Sequence, residues 1–117
     1  MRSVLVVEDD PDARDGFVAL LESEGFAAAG VANGQEALDW LERFGTPCLI
    51  VLDLTMPVMD GWQFRARQIA DPRLRSIPLV VVTAHREPER NGIDATSVLE
   101  KPIPPESLLE IVRTTCR

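Results

Sequence analysis

Four apolar runs in this chain each end in a residue that can handle phosphate or a cation. Val4 to Val7 leads into Glu8-Asp9-Asp10, and Cys48 to Leu52 leads into Asp53. Leu79 to Val82 leads into Thr83, and the short run Val98-Leu99 leads into Glu100-Lys101-Pro102. Carboxylates are the hard oxygen ligands that Mg²⁺ takes, beside carbonyls and water. Lysine is a compact point charge that meets phosphate, and a threonine hydroxyl can donate to a phosphoryl oxygen. If carboxylates such as Asp9 and Asp53 come within about 4 Å, each pair repels by on the order of 4 kcal/mol at an effective dielectric of 20. A bound cation removes that repulsion. Asp10 has a more ordinary use. It precedes Pro11, and together they read as a helix N-cap followed by a proline in the first turn.

These residues converge only if the runs lie side by side. Continuous apolar runs read as strands buried on both faces, the habit of a parallel sheet under helices. In open sheets of this kind ligands bind in the crevice at the carboxyl ends of the strands. Between the runs the pattern turns helical. Ala13, Phe17, Leu20 and Leu21 recur at helical spacing before Gly25, and Phe26 to Val31 reads as a short second strand. Asn33-Gly34 opens a helix with Ala37, Leu38 and Leu41 on one face, ending near Gly45. Asp60 caps a third helix carrying Phe64, Arg67 and Ile69, and Asp71-Pro72 closes it. A last helix from about Pro104 carries Leu108, Leu109, Ile111 and Val112. Strand and helix alternate about five times, which predicts an α/β domain with a parallel sheet and helices on both faces.

The bulk properties narrow the function. A length of 117 residues fits one domain, expected over residues 1–117. The formal charge of −7 argues against direct contact with nucleic acid, whose backbone needs a basic face. No apolar stretch is long enough to span a membrane and no signal peptide is visible, so the expected location is cytoplasmic. Cys48 and Cys116 have neither CxxC nor metal-type spacing. Both are expected as unpaired thiols in a reducing compartment, with a bridge between them left open.

Taken in order, Val6-Val7-Glu8-Asp9-Asp10, Leu52-Asp53-Leu54-Thr55-Met56-Pro57-Val58-Met59-Asp60-Gly61, Val82-Thr83-Ala84 and Lys101-Pro102 resemble the receiver domain of bacterial two-component response regulators, in particular the single-domain, chemotaxis-regulator type. The resemblance covers almost the whole chain, and the Asp-x-x-Met-Pro-x-Met-Asp-Gly stretch is its most specific part. It implies a flavodoxin-like (βα)5 fold, a doubly wound five-stranded parallel sheet in the order 2-1-3-4-5. It implies that Asp53 is the phosphoacceptor. Asp9, Asp53 and the backbone carbonyl of Thr55 would bind Mg²⁺ directly and Glu8 through a water. Lys101 and Thr83 would contact the phosphoryl group. The implied donor is a histidine kinase or histidine phosphotransfer protein, and the implied recipient a downstream protein. On this reading the chain is a signalling domain, not an enzyme beyond its own phosphotransfer and dephosphorylation.

Three features depart from that family. Thr83 and Lys101 are 18 positions apart, a few fewer than usual. The stretch from His85 to Thr96 offers one large apolar residue, Ile93, and contains Pro88 and Gly92, so a short or irregular fourth helix is expected there. Thin cover by that segment would leave apolar sheet open to self-association. Val98 stands where many members carry an aromatic that swings with the threonine hydroxyl. His85, two residues after Thr83, and Thr55 hold positions that flank the phosphoryl group in the family and would tune its hydrolysis. Two other readings compete with a switch. A pseudo-receiver would keep the fold as a protein-binding module without phosphorylation. A hydrolase of the haloacid dehalogenase type would need a second acid two residues after its nucleophile, where this chain has Thr55.

Overall fold

Hydrophobic strands that must bury both faces fix the architecture. The structure, a computed structural model, describes residues 3–84, 95 and 97–116. Its elements run β1 (Ser3–Val7), α1 (Pro11–Ser23), β2 (Ala27–Val31), α2 (Gly34–Phe44), β3 (Leu49–Asp53), α3 (Gly61–Ala70), β4 (Leu79–Thr83), β5 (Ser97–Glu100) and α4 (Pro105–Thr115). All strand pairs are parallel, and the order is β2-β1-β3-β4-β5. This is the doubly wound five-stranded sheet that the family resemblance implies. The expected short or irregular fourth helix, and His85 with it, fall outside the described residues.

Alternate strand residues feed two cores, one on each side of the sheet. Leu5, Val7, Ile50, Leu52 and Val81 pack under α2 and α3 with Ala37, Leu41 and Phe64. Val4, Val6, Leu49, Val51, Val80 and Val82 pack under α1 and α4 with Leu21, Leu108, Leu109 and Val112. β3 and β4 are buried along their whole length. A strand enclosed in this way has no freedom to slip, because a shift of one residue would exchange the two cores.

The helix starts are set locally. Asp10 accepts from the Asp12 N–H, Asn33 from the Glu36 N–H, and Asp60 forms a reciprocal capping box with Gln63. Of Phe64, Arg67 and Ile69 on α3, one is buried. Phe64 points in, but Arg67 and Ile69 are exposed and Gln68 is fully buried. Gln68 Nε2 donates to the carbonyl oxygens of Leu74 and Ile77 at 3.0 and 3.1 Å. Those bonds tie the irregular stretch before β4 to α3 and cover the cost of burying an amide.

The thiols differ from expectation. Cys48, just before β3, and Cys116, the C-cap of α4, are joined in a disulfide with their Cα atoms 5.5 Å apart. The two residues are 68 positions apart; packing α4 along the sheet brings them together.

Candidate functional site

Register places the acids. Val7 pairs with Leu52, so Glu8 and Asp53 leave β1 and β3 side by side at the carboxyl edge. Asp53 pairs with Val82 on the other side, which puts Thr83 one step beyond it, and Thr83 pairs with Glu100. The next residue, Lys101, donates its backbone N–H to the Thr83 carbonyl at 2.8 Å. Its side chain then crosses the crevice over β3 to β1. Lys101 Nζ lies 2.5 Å from Glu8 Oε1 and 3.7 Å from Asp53 Oδ2. Ligand oxygens of Glu8, Asp9 and Asp53 all fall within 4.8 Å of one another. Glu8, Asp53 and Thr83 are buried, whereas Asp9 and Thr55 are exposed.

The electrostatics follow from that crowding. Burial raises the Asp53 pKa most, the neighbouring Glu8 carboxylate raises it further, and Lys101 pulls back less; the result is a value of about 7. For Glu8 burial also pushes upward, but the hydrogen bond from Lys101 and the contacts with Asp53 and the Asp10 N–H outweigh it and hold the pKa below the ordinary range. Burial lowers Lys101, yet its bond to Glu8 and the charges of Asp53 and Asp9 win, so it titrates above its usual value. Glu8 and Lys101 are therefore an ion pair, and Asp53 is the acid whose charge is least well compensated by the protein.

That imbalance suits a cation. Two buried carboxylates beside a third that faces solvent form a hard oxygen donor set with an open side, the chemistry Mg²⁺ prefers. Lys101 would then be left to meet an anion over Asp53.

Two residues support the site without having been singled out for it from the sequence. Arg14 Nη1 donates to the Glu8 carbonyl at 3.0 Å, which holds the backbone where β1 ends; nothing in the sequence points to this. Gly61 sits directly on the strand exit. A Cβ there would come within 2.7 Å of both the Asp53 carbonyl oxygen and the Leu54 Cα. Its presence in the Asp-Gly pair is the visible sign of this close approach. The expected site residues Glu8, Asp9, Asp53, Thr83 and Lys101 do come together. Thr55 follows on the loop, with its N–H 3.5 Å from Asp53 Oδ1. Val98 is part-exposed on β5.

The profile of the response regulator receiver domain family matches residues 4–113. The chain belongs to that family. It is 37% identical over 118 residues to response regulator Rre1 of Synechocystis, covering 95% of this chain and 50% of that protein. The receiver domain of a signal transduction histidine kinase from Syntrophus aciditrophicus superimposes with a TM-score of 0.90 at 30% identity, covering 99% of this chain and 90% of that one. The receiver domain of sensor histidine kinase PA1611 from Pseudomonas aeruginosa gives a TM-score of 0.88 at 27% identity, covering 98% and 97%. That structure carries a magnesium ion coordinated in its active-site cleft. As a receiver domain, this chain serves phosphorylation-dependent signalling in a two-component system. No helix among the described residues is long and apolar enough to cross a membrane.

Proposed function

We propose that residues 1–117 form one receiver domain that takes a phosphoryl group on Asp53 from a histidine kinase or histidine phosphotransfer protein, with Mg²⁺ bound, and signals to a partner protein. The observation that carries this reading is the position of Lys101 Nζ between Glu8 and Asp53, 3.7 Å from the Asp53 carboxylate. Asp9, Asp53 and the Thr55 carbonyl would hold the cation, with Glu8 acting through water, and the cation would supply charge neutralisation to the phosphoryl oxygens. Asp53 presents the nucleophilic carboxylate oxygen at the crevice. Lys101, positioned by its bond to Glu8, offsets the charge on the transferring group, which is the main service a protein can give this reaction. Thr83 would donate its hydroxyl to a phosphoryl oxygen once the acyl phosphate has formed, and Thr55 and His85 would tune its hydrolysis. The cytoplasm is the compartment that fits such a donor.

Intact-protein mass after incubation with acetyl phosphate tests the reading. The expected result is one added phosphoryl group that requires Mg²⁺ and is lost in Asp53→Asn. Unchanged labelling of Asp53→Asn, or no labelling of the wild-type protein with Mg²⁺, overturns it and favours a protein-binding module.

A further inference from the structure

At the end of the sheet opposite the acids, the Cys48–Cys116 bridge joins the start of β3 to the end of α4. α4 buries Leu108, Leu109 and Val112. Beyond Val112, Arg113 and Thr114 are exposed, Thr115 is part-buried and Cys116 is the buried residue. Thr114 Oγ1 donates to the Glu110 carbonyl of the same helix at 2.9 Å, and the ion pairs of that last turn are Arg113 to Glu24 at 2.6 Å and to Glu106 at 3.2 Å. Both lie at the surface, where ion pairs contribute little. The bridge is the covalent tie between that turn and the sheet. Thr114 and Thr115 also line a cavity of about 220 Å³ with Ser97, Glu110 and Ile111, so the hold on this turn shapes the surface between α4 and β5.

Both redox states of the pair have a place in the fold. Cys48 Sγ lies 3.0 Å from the Ser3 carbonyl oxygen, an acceptor for the S–H that reduction would leave. Cys116 lies within the apolar core between the sheet and α1 and α4, where a neutral thiol is a small hydrophobe. Cys48 is the partly exposed partner and Cys116 the buried one, so an incoming thiolate meets Cys48 first.

We propose that Cys48 and Cys116 are a reversible thiol–disulfide site, taking a dithiol reductant, that sets how firmly the last turn of α4 is held to the sheet. One thiolate of the reductant attacks Cys48 Sγ, forming a mixed disulfide and expelling Cys116 as a thiolate that takes up a proton. The second reductant thiol attacks its own mixed-disulfide sulfur, releasing Cys48 as a thiol. Two electrons and two protons pass to the protein, and the reductant leaves as its disulfide. This makes the chain responsive to a second input, independent of Asp53.

The test uses the full chain purified without reductant. Alkylation under denaturing conditions, read by mass, is expected to count no thiol at first, two after dithiothreitol, and none after oxidised glutathione. Hydrogen exchange of the reduced protein is expected to show amide protection of residues 114–116 falling by about tenfold or more. Cys116→Ser is expected to show the weakened protection with and without reductant. Two thiols that glutathione does not close, a bridge that dithiothreitol does not open in the folded protein, or equal last-turn protection in both states overturns the proposal. The wild-type cycle decides even if the variant does not fold. Asp53 labelling by acetyl phosphate is measured in both redox states; because the thiol count does not depend on it, failure of either reading is seen separately.

Discussion

Cys48, just before β3, and Asp53, its last residue, stand at opposite ends of one buried strand. At the amino end the chain is tied covalently and surrounded by apolar side chains. At the carboxyl end Glu8, Asp9 and Asp53 crowd together with one lysine among them. The amino end stabilises the folded state relative to the unfolded one, largely by restricting the unfolded chain. The carboxyl end stores repulsion that a ligand can relieve. A binding site of this kind is tolerable because the sheet beneath it is enclosed on both faces and cannot relax away from the charges.

The change expected to disturb that contrast most is Lys101→Met. Glu8 would lose its counter-ion while its side chain remains 1% exposed. Removing one partner of a buried ion pair costs about 3 kcal/mol. The pH dependence has a definite sign. With Lys101 present the Glu8 pKa lies below its ordinary value, so its contribution is full above the unfolded value and fades as pH falls through the folded one. The loss in Lys101→Met should therefore be large at pH 7 and shrink only once pH falls well below the ordinary carboxylate range, to about pH 2, as urea unfolding in chelator would show. An equal loss at both values would mean that Lys101 acts through packing alone.

Gly61→Ala addresses the backbone beneath the acids. Its new Cβ would meet main-chain atoms of Asp53 and Leu54 at 2.7 Å, and main chain in a closed strand cannot turn aside as a side chain can. The expected cost is about 1–3 kcal/mol, with weaker Mg²⁺ binding because Asp53 is displaced. Loss of stability with unchanged Mg²⁺ affinity would show that the site tolerates movement of its strand.

The repulsion itself can be read from the pH dependence of Mg²⁺ binding. The folded Asp53 pKa is raised to about 7 from 3.8. Between those values the folded protein holds a proton that the unfolded chain has lost, so stability in chelator should decline as pH rises from about 4 to about 7, then level off. A cation must displace that proton. Calorimetry should find Mg²⁺ affinity rising by up to about tenfold per pH unit below 7 and flattening above it. Glu8→Gln should move the bend to lower pH. A bend at the same pH in both proteins would separate the Asp53 shift from Glu8.

The parts legible in the sequence are those set by neighbours along the chain. β1, β3 and β4 show as unbroken apolar runs, and Asp10, Asn33 and Asp60 announce helix starts because capping acts within a few residues. The carboxyl ends of those runs hold most of the site, so Glu8, Asp53 and Thr83 are visible as candidates from residue type and position. Lys101 is 93 positions from Glu8; its place after Val98-Leu99 marks it as a phosphate candidate, but spacing cannot show its contact with Glu8, which folding makes. The Cys48–Cys116 pair fails to show for the same reason. Nothing in the sequence marks Gln68 as a core residue, because polarity usually marks a solvent face, whereas here two distant carbonyls satisfy it. Arg67 and Ile69 fit a helical stripe on paper and end up exposed, because α3 turns Phe64 and Gln68 to the core instead.

The smallest expected effect concerns the loop between Asp53 and α3. Val58 is 80% exposed and has φ of 68°, a left-handed conformation that a β-branched residue rarely adopts. The strain lies five residues from the acceptor, between Pro57 and Met59, whose N–H bonds to the Pro57 carbonyl at 2.8 Å. Asparagine enters this region more readily because its short polar side chain can bond locally. Val58→Asn should therefore raise stability by about 1 kcal/mol, as no apolar burial is lost with the exposed valine. If the loop only connects β3 to α3, the Mg²⁺ and acetyl phosphate responses of the variant should match those of the wild-type protein. If stability rises while labelling of Asp53 slows, the strain is part of how the loop presents the acid, and the reserve at the carboxyl end is conformational as well as electrostatic.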